Sequence, residues 1–175
     1  VLSRRQGSGT FVSHHSSRIS EPWHFQFLED DGVSVLPAYP KVVARERTTQ
    51  RGPWSRFLRQ GRTPILRIDR TINVNDEFSA FSRFFVAGAN ADFMEAIPIG
   101  ELHGANFRII LSEASRLPVT RIDHNVSVIQ ANSAHTNRPN VDKRELLLRV
   151  EISATAGGSI PMYFQELFVP RTDRK

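Results

Sequence analysis

The chain has 175 residues, 39% of them hydrophobic and 23% charged, which is enough for one globular domain with a core of its own. It contains no cysteine, so a disulfide framework, thiolate metal sites and thiol nucleophiles are excluded together, and a reducing, cytoplasmic setting is the expected one. The formal charge of +5 is almost wholly guanidinium, since only Lys41, Lys143 and Lys175 are lysines; this suits planar grip on carboxylate or phosphate, and solvated surface arginine accounts for it equally.

No apolar run approaches the ~20 residues of a membrane span, and the start has neither a signal peptide nor an initiator Met, so a soluble chain that begins partway through a longer protein is expected. Residues 4–12 read RRQGSGTFV. A basic flank, two nearby glycines and an apolar close have the composition of a hairpin tip that approaches a phosphate backbone. Residues 13–22 are polar, carry Ser13, Ser16, Ser17 and Ser20, end in Pro22 and read as a linker.

An aromatic patch at 23–28 is broken by a turn at 29–32, and 33–48 is extended, interrupted by Pro37 and Pro40. A short helix fits 52–61, with Pro53 in its first turn, Trp54, Phe57 and Leu58 on one face and Gly61 at its stop. Residues 63–74 and 78–86 form a hairpin around 75–77. The clearest amphipathic helix is 106–116: Phe107, Ile110, Leu111 and Ala114 make the dry stripe, Arg108, Ser112, Glu113 and Arg116 the wet one, and Asn106 the N-cap.

Strands follow at 122–130 and 145–155, the second with Leu146, Leu148, Val150 and Ile152 on one face. After a turn at 156–159, the last strand (160–169) sends Ile160, Met162, Phe164 and Phe168 one way and Tyr163 and Gln165 the other. Hairpin-length turns favour antiparallel pairing, so the expected class is α+β: an antiparallel sheet of about six strands with a few helices.

Catalytic patterns are sparse. The Gly157-Gly158-Ser159 stretch lacks the second glycine of a nucleophile elbow, the six histidines lack metal-ligand spacing, and the acids at 29–31 and 76–77 read as turn carboxylates. No phosphate-binding loop or dinucleotide fingerprint occurs, and no cofactor or metal is expected. What stands out is a set of arginines on or beside the elements, Arg67, Arg70, Arg83, Arg108 and Arg121. Arg70 shares a strand face with Leu66, Ile68 and Ile72 and needs a partner there. That partner is either an internal acid, for instance Glu46 or Glu166, or an anionic ligand entering a half-polar cavity beside the helix that starts at Asn106.

The segment Gly7 to Val12 resembles the closing wing of the GntR-type winged helix-turn-helix domain. Phe25 and Phe27, the Ile68-Asp69-Arg70 strand, the Ser82-Arg83-Phe84-Phe85-Val86 strand, Asn106, the 128–131 and 146–148 stretches and Ile160-Pro161-Met162-Tyr163 resemble, in order, the UTRA effector-binding domain of the HutC branch of that family. The resemblance implies a chorismate lyase-like fold and three parts: the end of a wing at 1–12, a linker at 13–22 and an effector-binding domain at 23–175. It places Arg4, Arg5, Gln6 and Gly7 beside DNA, and Arg70 on the anion of a small metabolite. Ser82, Arg83, Asn106, Tyr163 and Gln165 are the further effector-binding candidates.

Ile72, Ser82 and Tyr163 depart from the residues of sugar-phosphate-sensing relatives and favour a smaller or more apolar carboxylate or phosphonate. Homodimerisation, and repression as the commoner output, are also implied. The alternative is an enzyme similar to chorismate lyase acting on a carboxylate, which gives no reason for RRQGSGTFV. A basic RNA-binding module would need exposed aromatics interleaved with arginines, whereas Phe84, Phe164 and Phe168 alternate like core residues.

Overall fold

The structure, a computed structural model, describes residues 2–4, 10–12, 25–136, 142 and 144–172. Strands β1 (Leu2–Arg4) and β2 (Thr10–Val12) pair antiparallel, Leu2 with Val12 and Arg4 with Thr10, as a hairpin demands. Arg5, Gln6, Gly7 and the linker at 13–22 lie outside the described residues.

The remaining strands form one antiparallel six-stranded sheet in the order β3-β4-β5-β8-β7-β6. Strands β3 (Ala38–Thr48), β4 (Ile65–Val74) and β5 (Phe78–Val86) make one meander, with α1 (Pro53–Phe57) between β3 and β4. Strands β6 (Val119–Gln130), β7 (Leu146–Ala156) and β8 (Ile160–Pro170) make a second, with α5 (Ser133–Thr136) between β6 and β7. Pairing of β5 with β8 joins them. The link from β5 to β6 carries α2 (Gly88–Ala96), α3 (Ile99–Leu102) and α4 (Phe107–Ser115) across one face. Turn chemistry supports this order. Asn75 and Asp76 take φ of 50° and 59° between β4 and β5, which Asn and Asp tolerate, and Gly157 and Gly158 take 52° and 84° between β7 and β8.

Each sheet face carries two apolar clusters. On the helix side, Leu66, Ile68, Phe84, Val86 and Tyr163 pack with Met94, Leu102, Phe107 and Leu111; further along the same strands Ile72, Val74, Ala80 and Leu167 pack with Leu36, Phe25 and Phe27. On the other side, Trp54 stacks on Phe85 at 3.9 Å beside Ile65 and Phe164, and a separate cluster joins Phe81, Ala131, Leu147 and Phe168. The Trp54 ring folds back over Gly52 so closely that a Cβ there would lie 2.4 Å from it, so any other residue before α1 would displace the ring.

Three β3 contacts hold the helical layer. Arg45 Nη1 donates to the carbonyls of Met94 and Ile97 at the end of α2, and Arg47 bridges Asp92 and Glu95. At the β3 bulge between Val42 and Ala44, Val42 N–H donates to His103 Nδ1 at 3.1 Å, which fixes the approach to α4.

Four expectations need correction. Helices α2 and α3 were not foreseen: α2 buries only Ala91 and Met94 and has no side-chain cap, so it shows little period, and α3 is one turn. Ala114 is exposed rather than on the dry stripe of α4. On β7 the supposed inner face is buried at Ile152 but exposed at Leu146 and Leu148, because α2 and α4 cover only part of the sheet. On β8, Tyr163 pairs Ala154 and Ile160 pairs Ala156, so Met162 is an extra bulged residue and Ile160 lies on the Tyr163 side.

Candidate functional site

Cross-strand partners share a face, so register alone assigns the arginines. Arg70 pairs Ser82, which pairs Leu167; Asp69 pairs Arg83, which pairs Glu166. The two rows point to opposite sides of the sheet. Arg70 and Ser82 therefore stand at the centre of the helix side, between its two apolar clusters.

Arg70 is 2% exposed. Its guanidinium lies 4.0 Å from the centre of the Phe107 ring and 5.8 Å from that of Phe84, and Nη1 donates to the Ala105 carbonyl at 3.4 Å. Burial lowers its pKa to about 9, which leaves it cationic at neutral pH. Beside it, Gln165 Nε2 donates to Ser82 Oγ at 2.9 Å, both residues being buried. Asn106 caps α4 by accepting from the Arg108 N–H at 3.2 Å, while its own buried Nδ2 donates to nothing among the described residues. A buried amide donor without an acceptor is costly unless something arrives to take it.

These groups converge. Phe25, Arg70, Phe84, Asn106, Phe107, Arg108 and Gln165 line a cavity of about 10 Å³, near the size of one water. Two guanidinium side chains, two neutral amides and aromatic walls around one small cavity suit a small anion with some apolar surface. A larger hollow of about 270 Å³ lies outside α4, against Pro118 and Val119. It is an open surface depression, and Arg108 lies at both.

The structure thus brings together Arg70, Ser82, Asn106 and Gln165. Tyr163 is one step away, wholly buried and stacked on Phe84 at 4.7 Å, where it supports a wall. Arg83 is not brought in: it lies on the opposite face, with its ion pair to Glu166 at 3.7 Å. Arg4 is in β1, and nothing places it near this site. The sequence analysis missed Phe25, Phe84, Phe107 and Arg108 as lining residues. The phenylalanines carry only a core signal, and Arg108, assigned to the wet side of α4, turns to the cavity because it sits in the first turn.

The two acids named as examples of an internal partner, Glu46 and Glu166, lie on the opposite face. Glu46 pairs with Arg67 at 3.2 Å, and Glu166 faces Arg83 and, at 3.3 Å, Arg149, which also meets Glu151. Arg67 further grips Asp69 with two hydrogen bonds. Burial raises the Glu166 pKa against the pull of Arg149 and Arg83, and burial also lowers that of Arg83. Glu46 and Glu166 are thus engaged on the side away from Arg70. Among the described residues no group of three or more His, Asp or Glu is placed to hold a metal ion.

Solved structures share the fold. The effector domain of PhnF from Mycobacterium smegmatis superposes with a TM-score of 0.65 at 13% identity, covering 79% of this chain and 83% of that one. The transcriptional regulator (GntR family) from Enterococcus faecalis V583 gives 0.61 at 15%, covering 74% and 91%. The C-terminal domain of Yurk from Bacillus subtilis subsp. subtilis str. 168 gives 0.61 at 15%, covering 74% and 88%. The fold is that of these domains. No protein-family profile and no curated protein matches the chain by sequence. Among the described residues no helix is long and apolar enough to cross a membrane.

Proposed function

We propose that residues 23–175 are the UTRA effector-sensing domain of a bacterial, cytoplasmic GntR-family regulator of the HutC branch. Residues 1–12 are the end of its winged helix-turn-helix wing and 13–22 the linker. The domain binds a small anionic metabolite, a carboxylate or phosphonate with an apolar part, and catalyses nothing. Arg70 takes the anion, Ser82, Gln165 and Asn106 take its remaining polar atoms, and Tyr163 backs the aromatic wall. Arg83 belongs to the charge network of the other face.

The observation that carries this reading is the convergence of Arg70, Gln165 and the Asn106 amide donor on one small cavity with phenylalanine walls, with Ser82 behind Gln165. The antiparallel β1–β2 pairing is what a wing hairpin would show, and it supports Arg4 to Gly7 as its DNA-facing side. Val126, Val128, Leu146 and Leu148 form an exposed apolar row on β6 and β7, at the sheet's edge, and support a homodimer through that edge.

Ligand binding would act on DNA by favouring one dimer arrangement, and a preference of about 1–3 kcal/mol suffices for an effective switch, with repression as the output. Calorimetry of the purified chain against carboxylates and phosphonates, for wild type and Arg70→Ala, tests the site: the wild type binds and the variant does not. Equal affinity removes Arg70 from the role, and turnover of chorismate would replace the sensor by an enzyme.

A further inference from the structure

We infer that the ligand is an α-hydroxy acid, an anion with a hydroxyl on the neighbouring carbon, and that Gln165 is the residue that selects it. This rests on the sensor reading above and names the ligand class of the same site. Gln165 is 2% exposed and lines the cavity. The only hydrogen bond of its side chain among the described residues is the one that Nε2 donates to Ser82 Oγ, which leaves Oε1 as an acceptor with no described donor. Asn106 is the converse: its Oδ1 is used by the α4 cap, and its Nδ2 is a buried donor with no described acceptor. A donor and an acceptor at one small cavity are each costly until something meets them.

A hydroxyl meets both, because it accepts through its oxygen and donates through its hydrogen. A keto or ether oxygen satisfies Asn106 alone. An ammonium group satisfies Gln165 alone and finds no Asp or Glu beside it, since the charged side chains lining the cavity are the guanidiniums of Arg70 and Arg108. Ser82 sets the sense of the amide: it is wholly buried, lies opposite Arg70 across the β4–β5 pair and accepts from Nε2. Reversed, the amide would present N–H groups to a wall where Arg70, Arg108 and Asn106 Nδ2 already supply donors. The size of the cavity fixes where the hydroxyl sits in the ligand. At about 10 Å³, near one water, it leaves no space between the anion held by Arg70 and the group held by Gln165 and Asn106. The two therefore stand on adjacent carbons, and the rest of the molecule lies against the phenylalanine rings.

Calorimetry of the purified chain with phenylacetate, each enantiomer of mandelate and each enantiomer of α-methoxyphenylacetate tests these assignments group by group. One mandelate enantiomer is expected to bind about tenfold tighter than phenylacetate, and its methyl ether to show no such gain. In Gln165→Met, of similar volume, that advantage disappears while phenylacetate binds as it does to wild type, and Arg70→Ala binds none of them. Mandelate no tighter than phenylacetate in wild type, a methyl ether as tight as its mandelate, or an advantage that persists in Gln165→Met overturns the hydroxy acid inference; where Arg70→Ala has still lost binding, the sensor reading stands. Phenylacetate and mandelate that bind wild type and Arg70→Ala equally, or bind neither, overturn the site and the inference together. The wild-type ligand series carries the test by itself if Gln165→Met does not fold.

Discussion

The two faces of the sheet are built to the same plan and solve it differently. Each has a polar centre between two apolar clusters. On the α1 side the centre is a strip of opposed charges, Glu46, Arg67, Asp69, Arg83, Glu166, Arg149 and Glu151, bound to one another. On the helix side the centre is a guanidinium held by an aromatic face and a carbonyl, with neutral amides and a hydroxyl around a small cavity. On one face charge meets charge across the strands, and on the other polar groups gather at a cavity.

The largest effect expected from breaking this contrast is at Glu166. Glu166→Ala leaves Arg83 and Arg149 facing each other across a mostly buried gap and should cost about 3–5 kcal/mol in urea unfolding. Arg70→Met, of similar volume, should stay within about 1 kcal/mol of wild type or gain stability while losing the anion site. If the two substitutions destabilise alike, the faces do not differ in kind. Gly52→Ala drives a methyl into the Trp54 ring and should cost about 1–3 kcal/mol, with Trp54 emission altered. Asn106→Ala loses the α4 cap, about 1 kcal/mol, and also weakens ligand binding, which a purely structural cap would not do.

The smallest effect is a pH slope. The Glu166 pKa is raised in the folded protein, so the native state holds a proton that the unfolded state has released. Its contribution to stability falls as pH rises from the unfolded value, 4.5, until Glu166 ionises in the fold. Comparing Glu166→Gln with wild type across that window should show the loss of this component.

Much of the fold was legible, and the reasons are local. The β4–β5 hairpin announced itself by two β-rich runs around Asn75-Asp76, and α4 by its period and its Asn106 cap. What stayed hidden depends on contacts distant in sequence. Helix α2 takes its place from Arg45 and Arg47 on β3, and the bulge at Met162 inverts the facing of Ile160, which period-two alternation does not foresee. At the site, Arg70 was legible because a cation interrupts an apolar face. Arg83 was misplaced by adjacency, since consecutive strand residues face opposite sides. Phe25, Phe84 and Phe107 look like any core phenylalanine until the chain is folded.

Arginine-detected NMR, following the guanidinium signals of Arg70, Arg67, Arg83 and Arg149 during a titration with benzoate, tests the central claim most directly. The account predicts a saturable shift of the Arg70 signal while those of the other three stay where they are. Movement of Arg83 and Arg149 with Arg70 unmoved would place the ligand on the wrong face and contradict it.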